Sequence, residues 1–401
     1  MAASDERIRW HRVLALLGVL LVVVELVAQA HTWLWAGRPY RSLAKYRWSP
    51  YRLVRNNPEL TMAGFTVSED GFRNPRSFAK QKPPHTLRVL LVGGSVLYAG
   101  LTRKPVEGAE RVASDETIAT YLEQSLRADP ALAGLDVEVM NAGVNFNRLI
   151  EVVTAVLADY LAYEPDVVIV FGSANNFPHQ MREGAGRGRT YGTVATHPWA
   201  REFERVANRR GFWSLVEHVE LSLEGELASV AWARKISDKL LDRAFEFTAA
   251  RALAKPAPPP IVPAGPAELD GYFRELTALS DALIAAVRAM GGDVAFFWEY
   301  HLEELEGLKP LSAGEAALRR SILRARWREE RDFQMGIRDR LAAMLAARHV
   351  PLVDPLPALA KDSETVFIDY LHYTAHGNQL VAEWLHESLR DVFHARARAL
   401  R

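Results

Sequence analysis

Four short segments stand apart from the rest of the chain by residue type and spacing. Gly93-Gly94-Ser95 ends one apolar run and Asn141-Ala142-Gly143 ends a second. Gly172-Ser173-Ala174-Asn175-Asn176 follows a third, and Asp369-Tyr370-Leu371-His372 lies near the C-terminus. Together they supply a hydroxyl nucleophile, an imidazole base, a carboxylate three residues from that base, and amide donors for an oxyanion. Those are the parts that acyl transfer requires. Each part also has a plainer reading. Ser95 could cap a helix or hold a phosphate at its N-terminus, although no Lys-Ser/Thr pair and no G-x-G-x-x-G arrangement accompanies it. Gly143 could be a turn glycine, Asn175 a loop hydrogen-bonder, and Asp369 with His372 a loop pair ahead of a helix. His372 and His376 have the four-residue spacing of helical zinc ligands, but Thr374 and Gly377 suggest a turn between them. Trp298, Tyr300 and Trp327 could stack on a sugar ring or simply pack in the core.

Composition narrows the classes. The 49 basic and 49 acidic residues balance, so no global field attracts nucleic acid. With no cysteine in 401 residues, disulfides, thiolate nucleophiles and Cys-ligated zinc are all excluded. No metal or organic cofactor is expected.

The elements that must position these residues follow from periodicity. Leu87–Val92, Asp136–Met140, Val167–Phe171, Asp293–Trp298 and Val350–Asp354 read as five strands, the third apolar throughout and therefore central. Helical patterns lie between them. Ser114 is expected to cap the helix carrying Ile118, Leu122 and Leu126, and a second helix carries Leu149, Val153, Val156 and Tyr160. One long Arg-rich helix is expected over Ala313–Ala347, with Arg319, Arg320, Arg324, Arg326, Arg328 and Arg331 on a solvated face, and a final helix over Gly377–Ala395. Alternating strands and helices predict a three-layer α/β/α, flavodoxin-like fold with a parallel five-stranded sheet of order 2-1-3-4-5. In such sheets ligands sit beyond the carboxyl ends of the strands, which is where all four segments fall. The expected layout is a signal peptide or anchor over 1–37, a membrane-proximal arm over 38–87, and the α/β domain over 88–177 and 268–401. A helical insert with the linker Lys255-Pro256-Ala257-Pro258-Pro259-Pro260 occupies 178–267.

The order and spacing of the blocks resemble the SGNH, or GDSL-type, hydrolase superfamily. Val89-Leu90-Leu91-Val92-Gly93-Gly94-Ser95 resembles its first block, Asn141-Ala142-Gly143 its second, Asn175 the asparagine of its third, and Phe367–His372 its last. Asp70-Gly71-Phe72-Arg73 is similar to a segment upstream of the first block in membrane-associated members. The similarity covers about 70–176 and 290–395, with Gly94 standing where the family has Asp and Asn176 where an acidic residue often follows. The resemblance implies that Ser95 attacks an ester carbonyl, His372 acts as base and then acid, and Asp369 orients it. It further implies an oxyanion hole from the N–H groups of Ser95 and Gly143 and the side chain of Asn175, with Asn176 the alternative donor. The expected activity is hydrolysis or transfer of a small acyl group, plausibly acetyl, on a cell-envelope glycan or lipid. The alternative is a non-catalytic glycan-binding or scaffold protein that retains the fold.

At the N-terminus Arg7, Arg9 and Arg12 precede the apolar run Val13–Val24, and Ala28-Gln29-Ala30 offers a cleavage site, as in a signal peptide. An uncleaved anchor from Val13 to Trp35 is the rival. Either places the protein outside the cytoplasm, in the periplasm or on the outer face of the inner membrane. The basic residues after Gly37 favour instead a domain kept in the cytoplasm.

Overall fold

The computed structural model describes residues 2–36, 46–49, 53–58, 60–62, 65–99, 112–145, 147–172, 266–322 and 327–401. It divides into two units. The first, Met1–Trp48, Glu59–Thr61 and Arg201–Pro260, contains helix α1 (Ala2–Ala36). Its stretch Leu14–His31 is long and apolar enough to cross a membrane. Leu14, Leu16, Val19, Leu20 and Val22, which point to different sides, are all exposed along it, so the helix is apolar all round rather than along one stripe. Gln29 donates to Glu25 Oε1 at 2.7 Å, which pairs two of the polar groups that interrupt the run.

Four short strands, β1 (Tyr46–Ser49), β2 (Leu53–Asn56), β3 (Thr61–Met62) and β4 (Phe65–Thr66), come next in the chain. The second unit, Ser49–Pro58, Met62–Ala200 and Ile261–Arg401, is built on five parallel strands. These are β5 (Thr86–Gly93), β6 (Asp136–Gly143), β7 (Val167–Phe171), β8 (Asp293–Phe297) and β9 (Leu352–Val353), and they lie in the order β6-β5-β7-β8-β9. That is the flavodoxin-like order 2-1-3-4-5 expected from the sequence. Every residue of β5 and of β7 is buried, because helices cover both faces of a parallel sheet and leave no position for an alternating polar residue.

The helices are α2 (Ser95–Tyr98), α3 (Ile118–Ala128), α4 (Leu149–Ala158), α5 (Pro266–Ala289), α6 (Ala313–Ile322), α7 (Trp327–Ala346), α8 (Leu356–Leu359), α9 (Ala375–Ser388) and α10 (Arg390–Leu400). Helix α3 packs beside α9 and α4 beside α5.

Register aligns the carboxyl ends of the strands. Gly93 pairs with Gly143 and Phe171, Phe171 with Phe297, and Phe297 with Val353, so these five form one row across the sheet. Ser95 leaves the sheet two residues beyond that row. At the opposite end Arg88, fully buried, forms an ion pair with Glu138 at 2.6 Å and donates to Tyr163 O at 2.5 Å. Asp166 accepts the Arg88 N–H at 2.8 Å and pairs with Lys82 at 2.5 Å. This network ties the amino ends of β5, β6 and β7 together and lies a full strand length from the rim.

Two expectations are corrected. The cap of α3 is Thr117, which accepts from the Thr120 N–H, and not Ser114. Ser114 Oγ instead accepts from the Thr66 N–H at 2.7 Å and from Arg73. The final helix is two, because Leu389 departs from helical geometry at φ −108° and ψ 13° between α9 and α10. The expected Arg-rich helix is described as α6 and α7, with residues 323–326 outside the described residues; Arg319 pairs with Glu306. The insert predicted over 178–267 lies outside the described residues except for Pro266 and Ala267, which already belong to α5.

Candidate active site

Ser95 opens α2. Its side chain is partly exposed, whereas Val96, Leu97 and Tyr98 behind it are buried. The turn is closed by the Tyr98 N–H donating to Gly94 O at 3.1 Å. Residue 143 has to be glycine for α2 to fit: a Cβ there would lie 2.5 Å from Tyr98 N and 2.9 Å from Leu97 C. Asn141 locks the same junction. Its side chain donates to Leu97 O at 2.9 Å, the last buried turn of α2, and accepts the Gly143 N–H at 3.0 Å.

The Gly143 carbonyl accepts from Asn56 Nδ2 at 2.9 Å, and the residue acts as a spacer for α2. Asn175 and Asn176 lie outside the described residues.

The upstream Asp70-Gly71-Phe72-Arg73 segment and Asn74 serve this junction as well. The Arg73 N–H donates to Asn141 O at 2.8 Å, Asn74 Oδ1 accepts the Asn141 N–H at 2.8 Å, and Asn74 Nδ2 donates to Val139 O at 3.0 Å. A side-chain amide thus pairs with β6 as an extra strand would. Buried Arg73 lies over the Phe65 ring at 3.5 Å, and Phe65 meets Tyr98 of α2 edge-on at 5.5 Å. Burial lowers the Arg73 guanidinium to about 10 against the opposing pull of Tyr98 and Asp115. Asn56, Arg73, Asn74 and Asn141 were not assigned roles from the sequence. A polar Asn at the end of the buried β6 run was the one local signal.

Asp369 and His372 sit together in the loop before α9. His372 Nδ1 lies 2.8 Å from Asp369 Oδ2 and 3.0 Å from Oδ1. Asp369 Oδ1 also accepts the N–H groups of Leu371 (2.9 Å) and His372 (2.8 Å). Burial works to raise the Asp369 carboxyl, but its hydrogen bond and charge interaction with His372, with those two amides, outweigh burial and hold it below the ordinary carboxylate range. An ionised carboxylate on Nδ1 requires that nitrogen to carry the proton, which leaves Nε2 as the acceptor. No hydrogen bond joins Ser95 Oγ to His372 among the described residues; in free enzymes this contact is often long and tightens with substrate.

The loop is braced on both flanks. Phe367 and Tyr373 form an antiparallel bridge, and the Ile368 N–H donates to His372 O at 2.8 Å. The Leu302 N–H holds Tyr370 O at 2.8 Å, and the Tyr370 ring stacks on His301 at 5.9 Å and 18°. Tyr370 is 46% exposed, whereas Trp298 and Tyr300 are buried at 1% and 0% and pack in the core instead of forming a platform. The Trp327 side chain lies outside the described residues. His376 pairs with Asp362 at 2.7 Å, so the two histidines at helical spacing serve separate carboxylates.

No family model matches the chain, and no curated protein matches it. Solved structures overlap it in outline. A variant of Axe2, an acetyl-xylooligosaccharide esterase from Geobacillus stearothermophilus, aligns at TM-score 0.39 and 14% identity, covering 76% of this chain and 94% of that one. The acetyl xylan esterase AlAXEase aligns at TM-score 0.37 and 11% identity over 76% and 100%. LAE5, an alpha/beta hydrolase enzyme from the metagenome of Lake Arreo, Spain, aligns at 0.36 and 13% over 75% and 94%. At these scores the fold rests on the strand order and register of this chain, and its chemistry on the residues at the rim.

Proposed function

We propose that the protein is a serine-dependent acyl-ester hydrolase or acyltransferase that works through an acyl-Ser95 intermediate. The observation that carries the reading is the Asp369–His372 pair, a carboxylate held ionised on Nδ1 of an imidazole, in a loop that the Leu302 N–H, a few residues beyond β8, holds through Tyr370 O. His372 Nε2 takes the proton of Ser95 Oγ as the oxygen attacks the ester carbonyl. It then returns that proton to the departing alkoxide, and Asp369 stabilises the imidazolium between the two transfers. Water, or a hydroxyl of an acceptor, is deprotonated by the same nitrogen and releases the acyl group. The N–H groups of Ser95 and Gly143 and the side chain of Asn175 or Asn176 are the oxyanion donors of this scheme, the Gly143 N–H turning from Asn141 Oδ1 to the oxyanion.

The substrate class proposed is a small, plausibly acetyl, ester on an envelope glycan or lipid. Helix α1, apolar on every side, supports a membrane-linked setting. The placement of the catalytic unit outside the cytoplasm belongs to the proposal and follows from reading Arg7, Arg9 and Arg12 as the inner flank of that helix.

The test is intact-mass labelling of the folded protein with a fluorophosphonate, beside Ser95→Ala. One adduct that maps to Ser95 and disappears in the variant is expected. A well-folded protein that takes up no label would sink the catalytic reading and leave the scaffold alternative.

A further inference from the structure

Glu315, in the first turn of α6, is fully buried, and the mechanism above makes no use of it. Both of its oxygens are occupied. Oε1 accepts the N–H groups of Val366 (2.9 Å) and Phe367 (3.1 Å). Oε2 accepts Lys309 Nζ (2.9 Å) and the Ser312 N–H (3.0 Å). Lys309 Nζ spends its other protons on Pro310 O (2.9 Å) and Glu364 O (3.0 Å), and neither side chain of the pair is exposed.

A wholly buried ion pair costs more in desolvation than it returns unless further hydrogen bonds fill its remaining positions, and an apolar pair of similar volume is often as stable or more so. The structure fills every such position, and what it obtains is local. Val366 and Phe367 form the entry of the loop whose next residues are Ile368 and Asp369. Beyond the bridge between Phe367 and Tyr373, the loop returns through the Thr374 N–H to Val366 O at 2.8 Å and Thr374 Oγ1 to Thr365 O at 2.8 Å. Its stem therefore hangs from one carboxylate on one side and one hydroxyl on the other. An apolar replacement could fill the space, but it could not accept two successive main-chain N–H groups.

We propose that Glu315 is a positioning residue. Through the N–H groups of Val366 and Phe367 it sets the placement of the Asp369–His372 loop relative to the sheet, while Lys309 neutralises its charge and ties it to Glu364 at the start of the same loop. The proposal rests on His372 being the base of Ser95, and the experiment separates the two ideas.

Full-length protein in detergent is assayed with p-nitrophenyl acetate and labelled with fluorophosphonate, as wild type, Glu315→Asp, Lys309→Met/Glu315→Gln and Asp166→Asn. Glu315→Asp keeps a charge for Lys309 but withdraws the carboxylate from the loop by one methylene. It is expected to lower kcat by about ten- to a hundredfold, the scale of a misplacement near 1 Å. KM should stay within about twofold, since a loss confined to kcat marks an interaction used in the transition state. The acid limb of the kcat/KM profile should shift as the Asp369–His372 contact loosens. The double variant, whose amide oxygen still accepts from both N–H groups with no charge left buried, should recover most of the rate. Asp166→Asn disturbs the far end of the sheet and should lower Tm without moving kcat or the pH profile.

A folded Glu315→Asp with wild-type kcat and profile overturns the proposal, as does a kcat loss that Asp166→Asn reproduces at equal Tm. Should Glu315→Asp not fold, a folded but inactive double variant overturns it and an active one supports it. Wild-type protein that neither turns over nor labels defeats the reading of Ser95 instead. Hydrogen exchange of peptides covering 365–373 then decides the positioning role: faster exchange there alone in Glu315→Asp supports it, and unchanged exchange overturns it.

Discussion

Asp369 carries two functions in one carboxylate. Its Oδ1 closes the turn by accepting two main-chain N–H groups, and both oxygens face His372 Nδ1. Asp369→Asn keeps the turn acceptor but places an amide where the charge was, so the imidazole loses its fixed tautomer. An activity loss on the order of 10⁴-fold in kcat is expected, the scale seen for that change in Ser-His-Asp sites, with the fold retained by circular dichroism. A loss below about tenfold would show that the tautomer is set otherwise. The pH dependence follows from the same pair. The folded Asp369 carboxyl ionises more readily than an unfolded one, so its contribution to stability is full above 3.8 and lost as pH falls below it. Asp369 therefore stays ionised through neutrality, and kcat/KM should rise with pH as the base gives up its proton. A profile flat from about pH 5 to 9 would remove His372 as the base.

Elements meet this site through side chains distant in sequence. Helix α2 is seated by Asn141 of β6, β6 by Asn74 of the arm, and the dyad loop by Glu315 of α6. The carboxyl-terminal helices have a comparable clasp away from the site. Asp129 Oδ2 accepts from His386 of α9 at 2.9 Å and from His394 of α10 at 2.8 Å, and its Oδ1 accepts the Ala131 N–H at 2.9 Å. Burial acts to raise the Asp129 carboxyl, but the His394, Ala131 and His386 bonds prevail and lower it to about 2. A depressed carboxyl stabilises the fold fully above its unfolded value of 3.8, and that contribution drains away as pH falls from there to about 2. Asp129→Asn should thus lower Tm at neutral pH and flatten the Tm-versus-pH curve in that acid window. Equal slopes for variant and wild type would show that the clasp does not link proton binding to folding. Boundaries at this scale were the least legible feature of the sequence. The pattern over Gly377–Ala395 reads as one helix, and only the backbone turn at Leu389 divides it into α9 and α10.

For the whole molecule the consequence to check is membrane association. Eighteen consecutive residues of α1 can cross a bilayer at about 1.5 Å per residue, or roughly 27 Å. Membranes containing the full chain should retain it through alkaline carbonate extraction, whereas a chain beginning at Gly37 should be released. Release of a full-length chain that still contains α1 would exclude a spanning anchor; recovery of a shortened soluble form would point to cleavage near Ala30. The two units are linked by covalent chain, so this test also reports whether the catalytic unit stays with the membrane.

The sequence by itself determined the strands, their order and the dyad. Val167–Phe171 could only be buried on both faces, a parallel sheet leaves few ways to thread five such runs, and the resemblance of the last block implies the pairing of Asp369 with His372 that the loop makes. Tertiary structure decided what depends on partners far along the chain. The packing of Gly143 shows only once Asn141 Oδ1 is seen to take its N–H and α2 to lie against its Cα. Ser114 reads as a helix cap until the arm delivers Thr66 and Arg73 to it. Glu315 reads as one acidic residue in an exposed Arg-rich helix until residues 366 and 367, some fifty positions later, bring it two N–H groups. Hydrophobic periodicity is a local property and survives in the sequence. A buried polar group is satisfied by whatever the fold brings to it, and no spacing within its own segment can show that.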